Sequence, residues 1–257
     1  MTSQDFQKFP VGTGRYAALL DRKGMVVSLF YAFKIDEADY RIILPELLES
    51  KTRDIFQKMK FIQKVNILPL PEAKVLIVLG EVPDELMKDK IAYREDSMPL
   101  WTLVFNTHED AHVWAQKNSI LDYAKIRLLQ IKAGFPEYGT DINEQTILLE
   151  TRIPIAHQRG KGCYPGQEVI ERITSYGKGR TPKTLCSLSI NAPHEINSGT
   201  KVYDAEGKEA GEVTSAMIDP VEDKTYVLAS LQQAYVKTEN LFLNKGIVLL
   251  NQTITCS

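Results

Sequence analysis

Short apolar runs broken by polar clusters occupy residues 15–44. Arg15-Tyr16-Ala17-Ala18-Leu19-Leu20 leads into Asp21-Arg22-Lys23-Gly24, then Met25 to Ile35 and Tyr40 to Leu44, rich in β-branched and aromatic side chains. These runs predict strands, the first two joined by a hairpin at Lys23-Gly24. At Pro45 the period changes. Leu48, Ile55, Phe56 and Met59 recur at helical spacing beside charged neighbours. An amphipathic helix packed on the sheet is expected from Pro45, suited to the first helical position, to about Lys60. Further strands are expected at 74–80 and 100–105. Thr107 and Asp110 form a capping pair that starts a helix near His108. Ser119 and Asp122 open the next, which carries Leu121, Leu128 and Leu129 and stops at Gly134, before Phe135-Pro136.

After Pro182 the helical period disappears. Short alternating runs are separated by Asn197-Ser198-Gly199, Ala205-Glu206-Gly207 and Ile218-Asp219-Pro220. Regular turns without helices predict a small antiparallel barrel or sandwich over 184–257. The expected class is α+β, with an α+β domain over 1–183, a β domain over 184–257, and the segment 150–183 joining them.

Composition narrows the function classes. The 257 residues are 44% hydrophobic and 25% charged, with 31 Lys+Arg against 33 Asp+Glu. This excludes a disordered, collagen-like or wholly basic chain. No apolar run approaches the roughly 18 residues of a membrane span, so no membrane partner is expected. Met1-Thr2-Ser3-Gln4-Asp5 lacks the basic and apolar regions of a secretory signal, which points to a reducing, cytoplasmic setting. Cys163, Cys186 and Cys256 are too widely spaced for a disulfide framework or a C-x-x-C metal pair. Any role they have is individual.

The joining segment breaks the near-neutrality. Between Arg152 and Lys183 stand seven basic residues (Arg152, Arg159, Lys161, Arg172, Lys178, Arg180, Lys183) and two acidic ones (Glu168, Glu171), a balance of +5. Such a cluster suits an anionic ligand or a nucleic-acid phosphate, although an arbitrary charge run is more often a solvated loop. Within it, Pro165 is suited to the first turn of a helix through Val169, Ile170 and Ile173 to Gly177. Cys163 then lies just ahead of a helix N-terminus, with Arg159 and Lys161 nearby. Those surroundings favour a thiolate, and a nucleophile, a redox thiol and a metal-sulfur ligand stay open beside an inert cysteine.

Lys161-Gly162-Cys163-Tyr164-x-Gly166-Gln167-Glu168, followed by Arg172, resembles the signature of the YgfZ-like folate-binding proteins, relatives of the glycine cleavage T-protein that take part in iron-sulfur cluster assembly or repair. The hairpin Tyr16 to Gly24 and Gly134-Phe135-Pro136 match as well. The resemblance implies a T-protein-like folate-binding domain with a C-terminal antiparallel β-barrel. It implies a tetrahydrofolate-type ligand near Gly162, Tyr164, Gly166, Gln167, Glu168 and Arg172, and iron-sulfur assembly or client proteins as partners. Charge alone adds Lys178, Arg180 and Lys183 as candidates for the ligand's acidic tail. Cys163, assisted by Lys161, is the expected working group. The alignment puts Ser28-Leu29 where the T-protein has its catalytic aspartate, Pro45 where it has a folate-contacting asparagine, and Ile126 where the YgfZ-like group has a stacking tryptophan. Aminomethyl transfer is therefore not expected. Thr2-Ser3-Gln4-Asp5 resembles the end of a family element that follows a first strand and helix, which leads to the expectation that the native chain extends upstream or another segment covers a sheet edge.

His108-Glu109-Asp110-Ala111-His112 is a literal H-E-x-x-H. Its place in the first turn after Thr107 argues for chance over a zinc site, and no metal is expected. Gly177-Lys178-Gly179-Arg180 lacks the preceding strand and full glycine pattern of a dinucleotide site. Trp101 and Trp114 are expected to pack in the core. A folate-type binding accessory protein of cluster assembly or repair, indirectly supporting cluster enzymes such as tRNA-modifying ones, is the leading reading. A folate-dependent one-carbon transferase and an RNA-associated protein using the basic segment remain as alternatives, with direct nucleic-acid binding not expected.

Overall fold

The computed structural model describes residues 2–60, 64–79, 91–94, 100–105, 111–114, 122–153, 156–177, 179–243 and 247–251. The first sheet is an antiparallel meander of β1 (Gly14–Leu20), β2 (Val26–Asp36) and β3 (Asp39–Ile43), in that spatial order. The expected hairpin is present. Asp21 builds its turn by accepting from the amides of Lys23 at 2.8 Å and Met25 at 2.9 Å. Alternate residues of β1 feed two cores, as a period of two requires. Ala18 and Leu20 join Val26, Leu29, Tyr138, Ile142, Tyr164 and Ile170. Ala17 and Leu19 join Phe9, Phe30 and Ala32, closed by Ile55 and Phe56 of α1 (Glu49–Met59).

That helix starts four residues later than its apolar period predicts. A 3-10 turn over Glu46–Leu48 follows Pro45, and the α-helical ladder begins at Glu49. Tightened first turns of this kind are frequent at helix N-termini. A second antiparallel sheet holds β4 (Lys74–Leu79), β5 (Ile91–Arg94) and β6 (Leu100–Phe105) in the order β4-β6-β5. The H-E-x-x-H residues His108 to Asp110 lie outside the described residues; Ala111–Trp114 are helical and His112 is exposed.

α2 (Tyr123–Lys132) is capped by Asp122, whose carboxylate accepts from the Lys125 amide at 2.8 Å, and it ends at Ala133-Gly134. α3 (Gln167–Ser175) follows the signature. The remaining strands are β7 (Lys183–Ile190), β8 (Lys201–Tyr203), β9 (Glu209–Asp219), β10 (Lys224–Gln232), β11 (Asn240–Leu243) and β12 (Ile247–Asn251). They close an antiparallel barrel in the order β10-β7-β12-β11-β8-β9. The predicted turn clusters fall between its strands or at their ends. Cys186, Leu188, Val227, Ala229 and Leu231 fill the interior. Their neighbours Leu185, Tyr226 and Leu228 point outward and are covered by Ile131 and Leu128 of α2. Both faces of β7 and β10 are therefore buried. Among the described residues, no helix is long and apolar enough to cross a membrane.

Candidate functional site

Gly166 determines where the signature lies. Its φ is +78°, and a Cβ there would stand 2.5 Å from the Asp21 carbonyl oxygen and 2.7 Å from the Gly24 Cα. A side chain does not fit between the β1–β2 hairpin and α3, so glycine lets the two backbones touch. Gly166 is also the N-cap of α3. Pro165 therefore precedes the helix and does not form its first turn, because the chain turns left-handed to pass the hairpin. Val169 and Ile170 then pack on Gly24 from the helix side. Two stretches matched separately in the sequence, the hairpin and the signature, form one contact.

Against the loop lies the segment Thr2 to Asp5, a strip bent at Ser3 and Gln4. Ser3 is fully buried. Its amide donates to the Ala18 carbonyl of β1 at 2.9 Å, and its hydroxyl accepts from the Ala18 amide at 2.7 Å while donating to the Ala156 carbonyl. The Gln158 amide donates to the Ser3 carbonyl at 3.0 Å, and the Asp5 amide donates to the Gln158 side-chain oxygen at 3.1 Å. The strip thus links β1 to the approach of the signature and lies along β1 at Ser3–Ala18.

Lys161 fastens the strip. Its ammonium donates to the Thr2 carbonyl and, at 3.2 Å, to the Gln4 carbonyl. It sits 5.0 Å from the centroid of the Tyr164 ring. Burial pushes the Lys161 amine below the usual lysine range, with Asp5 and Cys163 pulling it back up. Cys163 is an exposed free thiol within electrostatic reach of that ammonium. Cys186 is buried in the barrel, where desolvation raises its thiol pKa. Cys256 lies outside the described residues.

Tyr164 is buried, and burial, aided by the Glu171 charge, pushes its phenol up to about 12. Its hydroxyl has no hydrogen-bond partner among the described residues. His157, whose side chain is 8% exposed, lies 6.3 Å from the Tyr164 ring and 3.8 Å from a Glu171 carboxylate oxygen. Burial lowers its imidazole pKa; Glu171 opposes that shift and Arg159 reinforces it. Sequence reading did not connect His157 to the signature. The only local signal was a histidine six residues ahead of Cys163, within the basic segment.

The other predicted site residues lie in the signature loop, along α3 and just beyond it. Gly162 faces open space, with nothing within 4 Å of a Cβ placed on it. Gln167 is half-buried, and Glu168 is exposed in the first turn of α3. Arg172 is exposed in the last turn of the same helix, and Arg180 is exposed beyond it. Four residues apart on one helix, Glu168 and Arg172 lie about 6 Å apart along its axis on the same face. Lys178 lies outside the described residues. Phe135, which follows α2, sits 5.3 Å from the Tyr16 ring, and both pack on the core that holds Tyr164. Leu29 is buried in that core and the Ser28 hydroxyl pairs with Thr52 at 2.7 Å. Among the described residues, no group of three or more His, Cys, Asp and Glu is placed to hold a metal.

The meander, the helices flanking it and the appended closed barrel are the fold of the glycine cleavage aminomethyltransferases. The structure matches aminomethyltransferase T of Bartonella henselae with a TM-score of 0.77 at 16% identity, covering 98% of this chain and 78% of that one. In sequence, it is 23% identical over 247 residues to a chloroplastic protein of Arabidopsis thaliana whose name proposes a transferase, an alignment covering 83% of this chain and 55% of that protein. An aminomethyltransferase of Rippkaea orientalis is 30% identical over 110 residues, covering 42% of this chain and 29% of that enzyme. An uncharacterized protein of Haemophilus influenzae is 20% identical over 228 residues, covering 84% of this chain and 75% of that one. The chain spans about half the Arabidopsis protein and less of the aminomethyltransferase. No family model matches it.

Proposed function

We propose that this chain is a YgfZ-like accessory protein that binds a tetrahydrofolate-type ligand and supports iron-sulfur cluster assembly or repair in the cytoplasm, with indirect effects on cluster enzymes such as those modifying tRNA. The carrying observation is Leu29. An aliphatic side chain, 6% exposed, lies in the same core as Tyr164, at the position where the resemblance leads to the expectation of the T-protein aspartate. Without a carboxylate there, the fold has no acid or base at that point for aminomethyl transfer.

Several side chains have chemistry suited to a folate. Tyr16 and Phe135 are half-buried rings on the shared core and offer apolar surface suited to a pterin, while Ile126, half-buried on α2, lacks the ring of the stacking tryptophan that the resemblance puts there. Arg172, Arg180 and Lys183 are exposed cations suited to an acidic glutamate tail. A bound tetrahydrofolate would supply a reduced pterin able to carry a one-carbon unit. Cys163 supplies an exposed sulfur for a partner's cluster. A stable cluster usually takes four protein ligands, so the partner contributes the others.

Titration of the purified protein with tetrahydrofolate, followed by its fluorescence, tests the ligand; a flat titration overturns it. Complementation of a strain lacking the protein tests the thiol. Cys163→Ala is expected to abolish it and Cys186→Ala and Cys256→Ala to preserve it. Equal tolerance of all three removes Cys163 from the reading. Turnover of an aminomethylated donor would establish the transferase alternative, and steeply salt-dependent RNA binding the RNA-associated one.

A further inference from the structure

The cation beside the exposed cysteine invites one interpretation, that it stabilises the thiolate. The geometry gives it another task. The Lys161 ammonium donates to two main-chain carbonyls, Thr2 and Gln4, that come from a segment more than 150 residues away. It also lies over the Tyr164 ring. The strip it holds is buried, with Thr2 at 6%, Ser3 at 0% and Gln4 at 3% exposure. The opposite edge of the strip is bonded to β1 and to Ala156 and Gln158. The loop Lys161–Tyr164 meanwhile has open space around Gly162 and an exposed Cys163. Only its first and last members are anchored, Lys161 to the strip and Tyr164 in the core.

We propose that Lys161 is a positioning residue: it fastens the signature loop to the strip Thr2–Asp5, and through that fastening holds Cys163 outward at a fixed place. Two of the ammonium's three N–H donors go to these carbonyl oxygens, and the task proposed for it is to hold the loop in place. The proposal rests on Cys163 being the working group, but its test does not depend on folate or on complementation.

Hydrogen exchange and the pH dependence of Cys163 alkylation by iodoacetamide, read by peptide mass spectrometry, separate the two roles. They would be measured on the full chain as Lys161→Gln, Lys161→Ala and wild type. A glutamine amide keeps a donor, one bond shorter than the lysine's, without the charge. If Lys161 positions, Lys161→Gln keeps the wild-type exchange of residues 2–5 and 156–158 to within about threefold and leaves the alkylation midpoint where it was. In the same case Lys161→Ala raises exchange there at least tenfold with an unmoved midpoint. If Lys161 instead stabilises the thiolate, both variants move the midpoint upward together, and that result overturns the proposal. Unchanged exchange in a folded Lys161→Ala also overturns it. Should Lys161→Ala fail to fold, Lys161→Gln alone decides, since only the thiolate role predicts a shifted midpoint for it.

Discussion

Two glycines of one short motif have opposite duties. Gly166 is held at φ +78° with backbone on the side a Cβ would occupy, whereas a Cβ on Gly162 would meet nothing within 4 Å. Gly166→Ala is therefore expected to cost about 2–4 kcal/mol, from left-handed strain together with displaced backbone. Gly162→Ala is expected to lie within about 0.5 kcal/mol of wild type. Urea denaturation with unchanged slopes would measure both. His157 makes a second prediction. Burial lowers its imidazole pKa below the ordinary value of 6.5, so as pH falls through that value the unfolded chain takes up the proton first. The contribution is fully present above pH 6.5 and is lost below it until the folded-state pKa is reached. Between pH 7 and pH 5 the melting temperature should fall less in His157→Gln than in wild type; equal slopes would assign the acid sensitivity to other groups.

Among elements, α2 is the one whose ends the sequence marks best and whose purpose it marks least. Asp122 and Gly134 are signals in any chain, since an unpaired first-turn amide needs an acceptor and a left-handed exit favours glycine. Asp122→Ala should cost about 1 kcal/mol, read as a lowered melting temperature with the same fold by circular dichroism. The helix nonetheless buries an arginine, Arg127, alongside Ile131. Its apolar residues are spread around it, because one side meets the barrel strands and another the link to Phe135. α3 was legible for the reverse reason: Ile170 is buried and Glu168 and Arg172 are exposed, in register with a single core face. Its start was misplaced because Pro165 is a local cue, whereas the clash that dictates Gly166 comes from a hairpin more than 140 residues earlier.

Across the whole molecule, the barrel and the N-terminal half are locked through Arg127. Its guanidinium pairs with Asp141, whose side chain is fully buried, and donates to Ser215 of β9 at 2.8 Å. Asp141 also accepts from the hydroxyls of Thr214 and Ser215, each at 2.6 Å, and from the Glu137 amide at 2.9 Å. Arg127→Met leaves that carboxylate without its cation and should destabilise by about 3–5 kcal/mol. The pair Arg127→Met with Asp141→Leu should recover part of the loss in a thermodynamic cycle, since removing both charges spares the uncompensated one. Lys132, bridging Asp219 and Glu222, adds a second tie between the same elements. By itself the sequence determined the hairpin, the amphipathic helices, the barrel-like run of turns and the signature, because each follows from side-chain period, capping or turn chemistry within about fifteen residues. Only the tertiary structure decided that Gly166 meets Asp21, that Lys161 holds Thr2 and Gln4, that His157 faces Glu171 and that Arg127 reaches the barrel. Those contacts join residues the local patterns do not connect, and their energies depend on burial, which no short stretch of chain establishes alone.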